Sequence, residues 1–143
     1  MSHALLTLGT GRIVLVDIDR QRAGDLAQAL CARFGTGRAV ASEDVSEAIS
    51  AADGIVNTTP VGMAKFPGMA MPGGLLSPRL WVADVIYFPM ETELLREAKA
   101  LGCRALSGAG MAVFQAADAF RLFSGAEPDV ERMLRHFTGM TDD

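Results

Sequence analysis

A chain of 143 residues with half its side chains apolar, 21% charged and a net charge of -4 is expected to form a single domain with enough apolar material for a core. It contains no run of about 18 uncharged apolar residues, which excludes a membrane-spanning helix, and no basic stretch leads into an apolar one at its start, so no secretion signal is read. No basic cluster suits phosphate neutralisation, so nucleic acid is not an expected partner. Cys31 and Cys103 are far apart and read as free thiols of a cytoplasmic protein. His3 and His136 have no Cys or His partner at zinc-like spacing, so no metal is expected.

In chain order, His3 to Leu8 reads as the tail of a helix with no strand before it. Ile13-Val14-Leu15-Val16 is a continuous apolar run ending in acids, the pattern of a strand buried on both faces. Ala23, Leu26, Ala27 and Leu30 then fill one face of a helix from Arg20 to Phe34, which Gly35 is suited to stop. A short strand over Arg38 to Ala41 precedes a helix announced by Ser42 and running through Ala51, with Glu43 and Asp44 in its first turn.

The second half repeats the alternation. Asp53 to Thr59 reads as a strand, and Ala64 to Pro78 as a Gly/Pro/Met-rich loop with a short helical turn. Leu80 to Ile86 is a strand, Glu91 to Leu101 a helix ended by Gly102, and Arg104 to Leu106 a last strand. Helices from Gly110 to Phe123 and from Pro128 through Phe137 follow. Alternating strands and helices predict an α/β fold, a parallel sheet with helices on both faces.

Certain polar residues fall where such folds bind ligands. Asp17 ends the first strand, where an acid about 20 positions after a glycine-rich turn hydrogen-bonds the adenosine ribose of NAD and repels a 2′-phosphate. Counting back places that turn before Met1. Alone, Asp17 reads more readily as a solvated acid at a strand end, and Arg22 equally well as a surface charge. Asn57-Thr58-Thr59-Pro60-Val61-Gly62-Met63 follows a strand at the carboxyl edge, with Pro60 biasing Thr59 towards an extended shape and Gly62 allowing close backbone approach. Tyr87 lies just past a strand end. Gln115 sits among Met111, Val113, Phe114, Ala116 and Ala117, where an unpaired amide would cost roughly 1 to 3 kcal/mol.

Three segments, Asn57 to Met63, Asp84-Val85-Ile86-Tyr87-Phe88-Pro89 and Ser107-Gly108-Ala109-Gly110-Met111 onward to Phe120, occur in the order found in the shikimate/quinate dehydrogenase family, whose nicotinamide-binding domain the chain resembles from about Leu5 to Phe137. Thr58 departs mildly from the family's Asn-Ala-Thr-Pro-x-Gly-Met. The resemblance implies a Rossmann-like domain over residues 1–143, without the first strand, the glycine-rich loop and the N-terminal substrate domain. It implies cofactor contacts from Asp17, Arg22, Thr58, Thr59, Pro60, Val61, Val85 and Gly108, and substrate contacts from Tyr87 and Gln115. Asp17-Ile18-Asp19 stands where NADP-using members tend to carry Asn-Arg-Thr, which implies NAD, with NADP disfavoured.

The implied reaction is hydride transfer between the cofactor and a ring secondary alcohol of a shikimate- or quinate-class acid. The family's proton-transferring lysine and aspartate belong to the other domain, and neither Lys65 nor Lys99 lies in a matching segment. No catalytic residue is therefore assigned, and the chain is expected to be inactive alone. Sequence encoding the missing strand, a Gly-x-Gly-Gly-x-Gly-like turn and a domain of roughly 100 or more residues is expected ahead of Met1. Loss of the central strand would leave edges that invite self-association, so a homo-oligomer is expected. The alternative is a non-catalytic association or regulatory module on the same fold.

Overall fold

The computed structural model describes residues 1–139 and divides the chain into two compact units, Met1–Ala52 and Asp53–Asp143. The first holds α1 (Ser2–Thr7), β1 (Ile13–Leu15), α2 (Arg20–Phe34), β2 (Ala39–Ala41) and α3 (Val45–Ser50). β1 and β2 pair in parallel, Ile13 against Ala39 and Leu15 against Ala41, as two strands joined through a helix do.

The period of the apolar residues dictates how α2 packs. Ala23, Ala27 and Leu30 are its buried face, and Ala27 and Leu30 meet Leu6 and Ala39 in a small core edged by Ile13, Leu15 and Phe34. Asp19 caps α2, its carboxylate accepting from the Arg22 amide at 3.1 Å, and Gly35 ends it at φ 107°, a conformation that favours glycine. The start of α3 differs from expectation. Asp44, not Ser42, is the cap, accepting from the Glu47 amide at 2.9 Å, while the Ser42 hydroxyl turns the chain by accepting from the Asp44 amide. β1 is half-buried rather than buried on both faces, and Val16 is 42% exposed.

The second unit holds β3 (Gly54–Asn57), β4 (Trp81–Asp84), α4 (Glu93–Ala100), β5 (Arg104–Leu106), α5 (Ala109–Ser124) and α6 (Val130–Gly139). Its three strands lie parallel in the order β3-β4-β5. The strands thus form one parallel sheet in each unit. Leu80, Val82, Ile86, Leu94, Leu95, Ala98, Val113 and Ala117 are all buried. Residues 64–78 contain turns and isolated bridges but no helix, so the expected helical turn is absent. Among the described residues no helix is long and apolar enough to cross a membrane.

Gly54 is fixed by its neighbour across the ladder. It pairs with Trp81, and a Cβ at this position would run into the indole atoms Cε2, Cδ2 and Nε1. The indole occupies the space that a side chain at Gly54 would need. Gly54→Ala should therefore lower stability by about 1 to 3 kcal/mol, the usual cost of overpacking. Trp81 is the only tryptophan, so its fluorescence during urea unfolding measures the effect; an unchanged midpoint would show that the ring relocates freely.

Candidate functional site

In the first unit the chain leaves β1 and turns through Asp17, Ile18 and Asp19 into α2. The turn is built from acid side chains. Asp17 Oδ1 accepts from the Asp19 amide at 2.9 Å, and Asp19 accepts from the Arg22 amide. The Arg22 guanidinium reaches back to Asp17, with Nε 3.4 Å from Oδ2 and Nη2 3.5 Å from Oδ1. Asp17 and Arg22 are therefore brought together at a strand's carboxyl end. Both are solvent-exposed and the pair contributes little stability; it orients the carboxylate instead. Ile18 is fully exposed.

In the second unit two neighbouring parallel strands end side by side in polar residues, Asn57 opposite Asp84. Both are buried, at 5% and 2% exposure, as is Thr92 at 1%. Buried polar groups persist when hydrogen-bonded, and here every side chain is engaged. Asn57 Oδ1 accepts from the Thr59 amide at 3.0 Å and the Thr59 hydroxyl at 2.8 Å. Asn57 Nδ2 donates to the Val61 carbonyl at 3.0 Å and to Asp84 Oδ1 at 3.1 Å. Asp84 Oδ1 also accepts from the Ile86 amide at 3.1 Å, and Oδ2 from the Thr92 hydroxyl at 2.7 Å. Thr92 then caps α4 by accepting from the Leu95 amide. Asn57, Asp84 and Thr92 were given no role from sequence. Their signal was a polar residue closing an apolar strand and a Thr preceding Glu93-Leu94-Leu95.

This network shapes the two loops that carry Thr58, Thr59, Pro60, Val61, Val85 and Tyr87, whereas Gly108 and Gln115 belong to the start and body of α5. Thr59 and Val61 are half-buried, with the Val61 amide donating to the Thr59 hydroxyl at 3.1 Å, while Thr58 and Pro60 are exposed. Val85 is half-buried and its amide donates to the Asn57 carbonyl at 3.0 Å. Tyr87 is 51% exposed, its ring 6.4 Å from that of Phe137 on α6. A cis peptide joins Phe88 and Pro89.

Two of the glycines are also required by packing. Gly62 is buried at φ +114°, and a Cβ there would stand 3.0 Å from Ile86 Cδ1 and 3.3 Å from Thr92 Cγ2; its freedom serves inward packing. Gly108 has an ordinary helical φ of -68°. A Cβ on it would meet the carbonyls of Val85 and Ile86, and its amide donates to the Ile86 carbonyl at 3.2 Å. Gly110 lies inside α5. Gln115 is exposed, so its amide is open to water and the cost of burying it unpaired does not arise. Glu91, beside the same loop, has its carboxyl held below the usual range by the hydrogen bond and charge of Lys99. Among the described residues no three His, Cys, Asp or Glu side chains are grouped to hold a metal.

The comparisons agree with this architecture. The family model for the shikimate 5'-dehydrogenase C-terminal domain matches residues 108–136. The chain is 57% identical over 136 residues to a shikimate dehydrogenase (NADP(+)) of Streptomyces avermitilis, covering 94% of this chain and 47% of that protein. It is 47% identical over 142 residues to a quinate/shikimate dehydrogenase (NAD(+)) of Corynebacterium efficiens, covering 98% and 50%. The structure of the Corynebacterium glutamicum quinate dehydrogenase in complex with NAD superposes with a TM-score of 0.88 at 45% identity, over 96% of this chain and 50% of that one. The chain thus spans about half the length of the relatives it matches. With its α/β, Rossmann-like fold, it belongs over that span to the shikimate/quinate dehydrogenase family.

Proposed function

We propose that this chain is the dinucleotide-binding part of an NAD-preferring oxidoreductase that interconverts a ring secondary alcohol and a ketone on a shikimate- or quinate-class acid. The observation that carries the reading is the pair of loops held at the carboxyl ends of β3 and β4, the edge at which open α/β sheets bind ligands. NAD held there would supply a hydride acceptor for the alcohol carbon. Thr58, Thr59, Pro60 and Val61 offer it one wall, and Val85 and Gly108 another. Tyr87 and Gln115, both exposed, offer a hydroxyl and an amide to the substrate's hydroxyls. No residue of this chain is assigned to take the proton, so on this reading the chain by itself does not turn over.

Cofactor choice is read from the first unit. Asp17 is an exposed acceptor suited to ribose hydroxyls, Arg22 lies beside it, and Ile18 supplies no positive charge for a 2′-phosphate. The relatives include both NAD(+) and NADP(+) enzymes, so the residues at this corner must decide. The chain titrated with NADH and NADPH should bind NADH more tightly. Asp17→Asn combined with Ile18→Arg should shift the ratio of the two dissociation constants towards NADPH roughly ten- to a hundredfold, the worth of a charge-assisted hydrogen bond with repulsion removed. Tighter NADPH binding by the unaltered chain would contradict the assignment of Asp17.

The substrate assignment is tested in an active enzyme containing this chain. Gln115→Ala should raise KM for shikimate or quinate roughly two- to tenfold, the range of one neutral hydrogen bond, with KM for NAD unchanged. Parallel losses for both ligands would make Gln115 a structural residue. Self-association belongs to the same proposal, because among the described residues β1 and β3 each pair on one side only and a free strand edge invites pairing. Sedimentation at micromolar concentration should show a dimer or larger species; a folded monomer would remove this part.

A further inference from the structure

A carboxyl group at 2% exposure is costly unless its oxygens are fully used. Asp84 accepts three hydrogen bonds, and each donor sits on a different stretch of chain. Asn57 Nδ2 belongs to the end of β3 and, through its own oxygen, fixes the Thr59 amide and hydroxyl. The Ile86 amide belongs to the loop after β4, between Val85 and Tyr87. The Thr92 hydroxyl belongs to the cap of α4. Sealing the end of a strand does not require this arrangement; an apolar residue packed like Val82 would do that at lower desolvation cost. The carboxyl group supplies two oxygens close enough to one another to tie three segments at one point.

We propose that Asp84 and Thr92 are positioning residues, a clasp that makes the Thr58–Val61 loop and the Val85–Tyr87 loop move as one body. The clasp rests on the reading above insofar as those loops line the cofactor and substrate. Neither residue touches a ligand in this scheme. Asp84 acts on Thr59 and Val61 through Asn57, and Thr92 acts on both loops through Asp84. A clasp of this kind transmits a disturbance at the start of α4 to amides more than 30 positions earlier in the chain, which loss of a helix cap alone does not do.

Thr92→Val separates the two roles, because it keeps the methyl that faces Gly62 and deletes only the hydroxyl, while Thr92→Ser restores it. Amide hydrogen exchange on the whole chain should show Thr59, Val61 and Ile86 exchanging roughly tenfold faster in Thr92→Val, the equivalent of one lost hydrogen bond. That acceleration should exceed the change at the core amide of Val82 and vanish in Thr92→Ser. If Thr92→Val does not fold, Asp84→Asn is measured instead; with one oxygen lost, it should accelerate the same amides beyond Val82. Acceleration confined to Leu95 and Arg96, or no greater at Thr59 and Val61 than at Val82, overturns the clasp. The NADH dissociation constant provides the second readout and should rise roughly tenfold in Thr92→Val and recover in Thr92→Ser. If exchange accelerates but NADH affinity is unchanged, the clasp does not position a ligand and the proposal fails. If the unaltered chain binds no NADH while the exchange pattern holds, the functional reading fails and the clasp stands.

Discussion

Two parallel strands that end level with each other leave their last residues side by side, and in β3 and β4 these are an amide and an acid. Asn57 and Asp84 cannot be exposed there without unravelling the strand ends, and cannot be buried without partners. The fold resolves this by bending each following loop back onto the pair. One loop supplies Thr59 and the Val61 carbonyl, the other the Ile86 amide. The conformations of both loops, the positive φ of Gly62 and the start of α4 at Thr92 all answer to that one requirement. The side chains proposed to meet a ligand are displayed by loops whose shape is set from beneath.

The first unit solves a related problem with charge. Its strand-to-helix turn places Asp17 and Asp19 within two residues of each other. The first amides of α2 and the Arg22 guanidinium offset the repulsion between the two acids. What remains at the surface is a carboxylate with a defined direction beside an uncharged Ile18. The proposed selectivity for a ribose hydroxyl over a phosphate rests on that local geometry and not on the core.

Much of this was legible in the sequence where one strong local signal dominated. The spacing of Ala23, Ala27 and Leu30 with Gly35 marked out α2, although Leu26, read on the same face, is 42% exposed, and Arg104 to Leu106 was read with its observed bounds. The motifs of Asn57 to Met63 and Asp84 to Pro89 pointed to the family. Misreadings arose where a residue's reason lies across space. Ser42 and Asp44 are both good caps, and only the hydrogen bonds decide between them. Gly108 lacks a Cβ because the carbonyls of Val85 and Ile86, distant in sequence, stand where one would be. Gln115 has apolar neighbours in sequence and yet points away from the core, because a helix separates adjacent residues by about 100°. Asp84 and Thr92 are eight positions apart, and nothing local announces that a hydroxyl from one meets a carboxyl from the other.

The closed character of the hydrogen-bond set around Asp84 bears on how such a protein changes over generations. Asn57, Thr59, Asp84 and Thr92 satisfy one another's polar atoms in a single linked set. A single replacement strands a buried donor or acceptor, whereas a joint replacement by apolar groups need not. Drift at one of these positions alone is therefore disfavoured, and the four should pass between descendants as a block. Divergence that abandons the block would have to remodel both loops together, and with them whatever the loops recognise.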